Sequence, residues 1–135
     1  PGQHGSTFSG GPLACAAGVA VFDVVSNPAF LARVTAAAER LQQGLGRLTE
    51  ASNTYGSVRG LGLMTAVVVH PESTRRPADL VRAAQAEGLL VTRAGTDAVR
   101  LLPPLNCADD EIDFALDVLA QIAAADPAAA GGRAT

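Results

Sequence analysis

Apolar side chains follow two different rhythms along this chain. From Leu31 through Val34, Ala38, Leu41, Leu45 and Leu48 the steps alternate between three and four, which sets one apolar stripe on a long helix. Arg33, Glu39, Arg40, Gln42, Gln43 and Arg47 fall on its other face. Asn27 is the expected cap and Pro28 the first helical residue, where a missing N–H costs nothing. An earlier helix, opened by Gly10-Gly11-Pro12 and running to about Val25, is apolar around nearly its whole circumference with Asp23 as its one charge. Such a helix is expected to be buried on most sides, between domains or at a subunit contact.

The second half reads differently. Val58 to Val69 turns β-branched toward its end and predicts a strand, with Gly60 and Gly62 marking a bulge or a close backbone approach at its start. A short helix from about Ala78 to Glu87 is closed by Gly88. Leu89–Thr92 and Ala98–Leu102 predict a hairpin about Gly95-Thr96-Asp97, which Pro103-Pro104 ends. Asp109, Asp110 and Glu111 suit the first turn of a last helix whose buried face is Ile112, Leu116, Leu119 and Ile122 or Ala123. The sum is an α+β domain: an antiparallel sheet of about three strands, helices on one face, and a long connecting helix before it. The expected division is 1–27 for loop and connecting helix, 28–126 for the small domain and 127–135 for a flexible tail, fraying being expected from Asp126 onward.

Composition narrows the partners. The net charge is −3 and the ten basic residues are scattered without a stripe, so neither nucleic acid nor an anionic membrane is expected. Leu13–Val25 is too short to span a bilayer and has no basic segment before it, so neither an anchor nor a signal peptide is expected. Cys15 and Cys107, without CxxC or histidine clustering, read as reduced thiols in a cytoplasmic protein. The chain opens at Pro1 and its only methionine is Met64, so it is expected to be a piece of a longer polypeptide. Every basic residue is arginine; there is no lysine, the amine that Schiff-base chemistry with a carbonyl cofactor requires.

Candidate chemistry is concentrated in two places. Gly5-Ser6-Thr7, ahead of an apolar helix, reads equally as an anion-binding loop and as a set of turn and cap residues, to which Ser9 also belongs. Arg100, judged by its surroundings alone, pairs with an acid such as Asp97 or faces solvent on its strand. His4 is assigned to packing of its loop and His70 to an exposed strand end; neither points to a metal.

Longer stretches add a resemblance. "HGSTFSGGPLACAAGVAVFDVV", "VRGLGLM" from Val58 and "VRLLPPLNCADDEID" from Val99 resemble, in order, three segments of the class III pyridoxal-phosphate aminotransferases, most of all their acetylornithine branch. The resemblance implies the C-terminal part of a fold-type I enzyme that acts as a homodimer. It implies that Thr7 donates its hydroxyl to the cofactor phosphate in the neighbouring subunit's site, that Ser6 lines the substrate side, and that Arg100 binds a substrate carboxylate. Physically, a hydroxyl on a glycine-flanked loop approaches phosphate closely, and a guanidinium offers a carboxylate two parallel donors. The Schiff-base lysine is expected upstream of Pro1, which would leave this chain alone inactive. The implied reaction moves an amino group between N-acetylornithine, or a related ω-amino compound, and 2-oxoglutarate. Ornithine, 4-aminobutyrate and succinyl-diaminopimelate are the alternative donors, and a non-catalytic interaction module descended from this domain is the alternative of another class. Two positions depart from the family pattern: Ser9-Gly10-Gly11-Pro12 stands for GGNP, moving glycine to the helix cap, and Ala108 stands where a Thr or Ser would cap the last helix unless Asn106 substitutes.

Overall fold

In the computed structural model, which describes residues 5–7 and 10–127, the elements run α1 (Pro12–Val25), α2 (Pro28–Ala51), β1 (Tyr55–Leu61), β2 (Met64–Val69), α3 (Pro77–Ala86), β3 (Thr92–Ala94), β4 (Ala98–Leu101) and α4 (Asp109–Ala124). They form two compact units divided between Arg33 and Val34.

In the first unit, α1 starts on Gly11 with Pro12 in its first turn and no side chain capping it. None of its residues is buried; Leu13 is 85 % and Phe22 67 % exposed. Asn27 caps α2 as expected, its Oδ1 accepting the Ala29 N–H at 2.9 Å.

The second unit holds the core. Ala38, Leu41 and Leu45 of the α2 stripe are buried, while Leu31, its first position, is 48 % exposed. Leu41 and Leu45 pack in one cluster with Val67, Val99 and Leu101 from the sheet, Leu80 and Ala84 from α3, and Ile112, Leu119 and Ile122 from α4. Removing each of these leucines from water stabilises the fold by roughly 1.5–3 kcal/mol. Ala98 and Arg100, which alternate with Val99 and Leu101, belong to the opposite face of the sheet and stand outside that cluster.

The sheet is antiparallel with strand order β1-β2-β4-β3, so it has four strands where the sequence suggests about three. The run read as one strand from Val58 to Val69 is two. Gly62, at φ +60, reverses the chain so that Leu61 pairs with Met64, and the strand before the turn begins at Tyr55. Of the two alternatives expected at the glycines, the close approach is found: Gly60 lies against the Met64 backbone in regular register, and the one register irregularity sits earlier, between Tyr55 and Ser57. The second hairpin turns on Gly95-Thr96-Asp97 as expected, although its first strand starts only at Thr92. Gly88, at φ +82, follows α3 in the left-handed conformation.

At the end of α4 the chain is anchored. Asp126, expected to fray, is 2 % exposed and accepts hydroxyls from Thr54 at 3.0 Å, Ser73 at 2.7 Å and Thr74 at 2.7 Å. Tyr55, buried beside it, donates its hydroxyl to the Leu119 carbonyl at 3.0 Å. Burial holds the Tyr55 phenol well above its ordinary pKa, with Asp126 adding to the rise and Arg75 opposing it. Residues 128–135 of the expected tail lie outside the described residues. The α4 cap is Ala108, with no side chain in the capping role; Asn106 does not take it, and Glu111 instead accepts the Ala108 N–H at 2.8 Å.

Candidate active site

Strand alternation decides where Arg100 points. Val99 and Leu101 face the helices, so Arg100 stands on the other side of β4, exposed. The antiparallel register then sets Arg59, Ala66, Arg100 and Thr92 side by side across all four strands of that open face. Thr92 lies directly opposite Arg100, and its Oγ1 accepts from Arg100 Nε at 3.3 Å.

Asp97 does not pair with Arg100. Its carboxylate is held by Arg59, with Nη2 to Oδ1 at 3.0 Å and Nη1 to Oδ2 at 3.4 Å. Both Nη groups of Arg100 are consequently without a hydrogen-bond partner among the described residues. A guanidinium steadied at Nε with two coplanar donors open is the geometry that receives a carboxylate in bidentate fashion. Ala66, the small residue between the two arginines, is itself buried, as is Ala98 on the same face, while the Arg59 side chain reaches across from β1 to Asp97.

Ser6 and Thr7 are exposed and belong to the first unit, whereas Arg100 belongs to the second. At Gly5 and Gly10 a Cβ would meet nothing within 4 Å, so the backbone at those two glycines is open to a close approach. That donor set, two exposed hydroxyls following Gly5, is of the kind that can hydrogen-bond the phosphate end of pyridoxal phosphate. The aldehyde end has no counterpart in a chain without lysine. His4 and Ser9 lie outside the described residues. His70, expected to be exposed, is half-buried, and its Nδ1 accepts the Glu72 N–H at 3.2 Å. Cys15 is exposed and Cys107 is buried, and neither is in a disulfide among the described residues.

Sequence reading missed Thr92 and Arg59 as members of this surface. Thr92 could have been found by counting outward from the three-residue turn, which pairs Ala94 with Ala98, Arg93 with Val99 and Thr92 with Arg100. Arg59 could not, because its neighbourhood depends on β2 lying between β1 and β4. An apolar cavity of about 490 Å³, lined by Leu41, Val91, Leu101, Pro103, Ile112 and Phe114 among others, includes neither Arg100 nor Thr92 in its walls. No single helix is long and apolar enough to cross a membrane.

The chain has the helix-backed antiparallel sheet of an α+β domain shared with solved aminotransferase structures. It is similar to the acetylornithine aminotransferase of Elizabethkingia anophelis (TM-score 0.78, 29 % identity, 92 % of this chain and 33 % of that one). The ornithine delta-aminotransferase of Plasmodium falciparum gives a TM-score of 0.79 at 27 % identity, over 92 % of this chain and 32 % of that one. An amine transaminase from an uncultivated Pseudomonas species, in its PLP-bound form, gives 0.76 at 30 %, over 90 % and 29 %.

The class-III aminotransferase family model matches residues 1–123, and the chain belongs to that family. Among curated relatives, the acetylornithine aminotransferase of Streptococcus mutans is 41 % identical over 122 residues, 90 % of this chain and 31 % of that protein. That of Synechocystis sp. is 39 % identical over 122 residues, 90 % and 28 %. The chain thus spans about a third of the length of the relatives it matches.

Proposed function

We propose that this chain is the C-terminal part of a pyridoxal-phosphate aminotransferase that moves an amino group between N-acetylornithine, or a related ω-amino compound, and 2-oxoglutarate. The observation that carries the reading is Arg100: a guanidinium on an open sheet face, held at Nε by Thr92, with both Nη groups unengaged. Sequence similarity to acetylornithine aminotransferases supports the donor, while the ornithine aminotransferases among the similar structures keep ornithine, and with it 4-aminobutyrate and succinyl-diaminopimelate, as alternatives.

In this reading Arg100 binds a carboxylate of the amino donor or of 2-oxoglutarate and fixes its distance from the reacting carbon. Thr7 donates its hydroxyl to cofactor phosphate across a homodimer interface, and Ser6 lines the substrate side. Pyridoxal phosphate, when bound, supplies the electron sink that makes the proton on the amine-bearing carbon of the substrate removable. The amine that holds the cofactor and moves that proton comes from outside this chain, which has no lysine and is inactive alone. Residues 1–27 are then the phosphate loop and connecting helix, 28–126 the small domain and 127–135 a tail. The bare apolar surface of α1 is covered by the rest of the polypeptide or its dimer partner, in the cytoplasm.

The test is made on the full-length protein. Arg100→Gln is expected to raise the KM for 2-oxoglutarate by about a hundredfold, as loss of a bidentate charged contact does. Thr7→Val is expected to weaken pyridoxal phosphate retention, read by the absorbance remaining after dialysis. A panel of the four amino donors identifies the substrate. An unchanged KM in Arg100→Gln overturns the reading. A full-length protein that takes up no pyridoxal phosphate would favour the interaction module, for which the exposed Leu13, Val19 and Phe22 of α1 are the contact surface.

A further inference from the structure

We propose that Arg59 is a positioning residue which keeps Arg100 available to substrate by occupying Asp97; the inference rests on the carboxylate-binding reading of Arg100 above. Asp97 is the one acid between Thr92 and Leu101 and precedes Arg100 by three residues, about 10 Å along extended chain. Residues three apart on a strand point to opposite faces, but Asp97 lies in the turn before β4 and its carboxylate reaches Arg59 on Arg100's face. Left alone, Asp97 is the natural partner for Arg100, as its place in the sequence suggests. In the fold it is turned toward Arg59 by a two-point contact at 3.0 and 3.4 Å.

Charge counting shows the consequence. Arg59, Asp97 and Arg100 together carry one net positive charge, and that charge is localised on Arg100 because the other two neutralise each other. Without Arg59 the same surface carries none, and the carboxylate that then engages Arg100 is the protein's own rather than the substrate's. An internal carboxylate competes with a ligand carboxylate for the same two N–H groups. The Arg59–Asp97 pair is half exposed, at 51 % and 52 %, and an ion pair in that setting contributes little to folding. Its effect is therefore on ligand affinity.

The experiment uses the full-length holoenzyme. Arg59→Gln is expected to raise the KM for 2-oxoglutarate about fivefold, the size of one screened charge interaction near a surface, with kcat within about twofold. Adding Asp97→Asn to it is expected to return KM to within about twofold of the parent, a rescue that a merely structural role for Arg59 would not give. A crystal structure of the Arg59→Gln protein is expected to show Asp97 within hydrogen-bond distance of an Arg100 Nη. The inference is overturned if Arg59→Gln leaves KM unchanged, if the double variant is no better than the single, or if Asp97 stays away from Arg100. Arg100→Gln, run alongside, separates the two claims. If it raises KM while Arg59→Gln does not, this inference alone fails; if it leaves KM unchanged, the carboxylate reading fails and takes the inference with it.

Discussion

Gly60 and Gly62 sit two residues apart in one motif, yet they are glycine for different reasons, and alanine at each should separate them. Gly60 has φ +132, and a Cβ there would collide with the Met64 carbonyl oxygen and stand 2.8 Å from Thr65 Cα. The obstacles are backbone atoms of the paired strand β2 and have no rotamer by which to withdraw. Backbone strain of roughly 1–3 kcal/mol and overpacking of roughly 1–3 kcal/mol then add, so Gly60→Ala is expected to cost about 3–5 kcal/mol. Gly62 has φ +60 with open space around it, and Gly62→Ala should cost only the left-handed penalty of about 1–2 kcal/mol. Urea unfolding gives the difference directly from the two midpoints, provided the slopes agree. If Gly60→Ala proved no worse than Gly62→Ala, the close approach of β1 to β2 would be wrong.

Other consequences are read on stability and pH. Asp126→Ala leaves the hydroxyls of Thr54, Ser73 and Thr74 without their shared acceptor and should cost about 3–5 kcal/mol in a denaturant titration; a cost under about 1 kcal/mol would contradict the anchoring role. Tyr55→Phe should cost about 1 kcal/mol at neutral pH by removing the bond to the Leu119 carbonyl. Because the folded phenol pKa is raised, stability is whole below the unfolded value of about 10 and falls as pH climbs above it toward the folded value. Midpoints measured from pH 8 to 11 should therefore decline for the parent and stay flatter for Tyr55→Phe.

What was legible in the chain was local. Asn27 announces a cap, the α2 stripe announces its buried face, and Gly95-Thr96-Asp97 announces a turn, because each signal and its consequence lie within a few residues. β1 was partly hidden: Tyr55-Gly56-Ser57-Val58-Arg59-Gly60-Leu61 has little β-branched character, and it is a strand because β2 pairs with it. Asp126 looked like the start of a Pro/Ala/Gly tail, and the three hydroxyls that bury it come from 52 to 72 residues earlier. Arg100 was singled out through its motif, and its exposed position on β4 follows from strand alternation. The pairing of Asp97 with Arg59 was not legible, since Arg59 lies 38 residues from that acid and meets it only through the strand order.

In the proposed reading the alternation along β4 separates what holds this domain together from what it offers to a ligand, and that separation is measurable. Val99 is buried among the helices, and Val99→Ala should cost roughly 1.5–3 kcal/mol through lost burial and the cavity it leaves. Arg100, its neighbour, is exposed on the other face with one 3.3 Å bond to Thr92, so Arg100→Gln should change stability by less than about 0.5 kcal/mol. The kinetic effects should run the opposite way in the full-length protein, with KM for 2-oxoglutarate responding to position 100 and hardly to position 99. Stability and affinity would then be divided at adjacent residues by nothing more than the pleat of a strand. If Arg100→Gln unfolded the protein as readily as Val99→Ala, the guanidinium would be a structural group, and its two open nitrogens would be no evidence of a ligand.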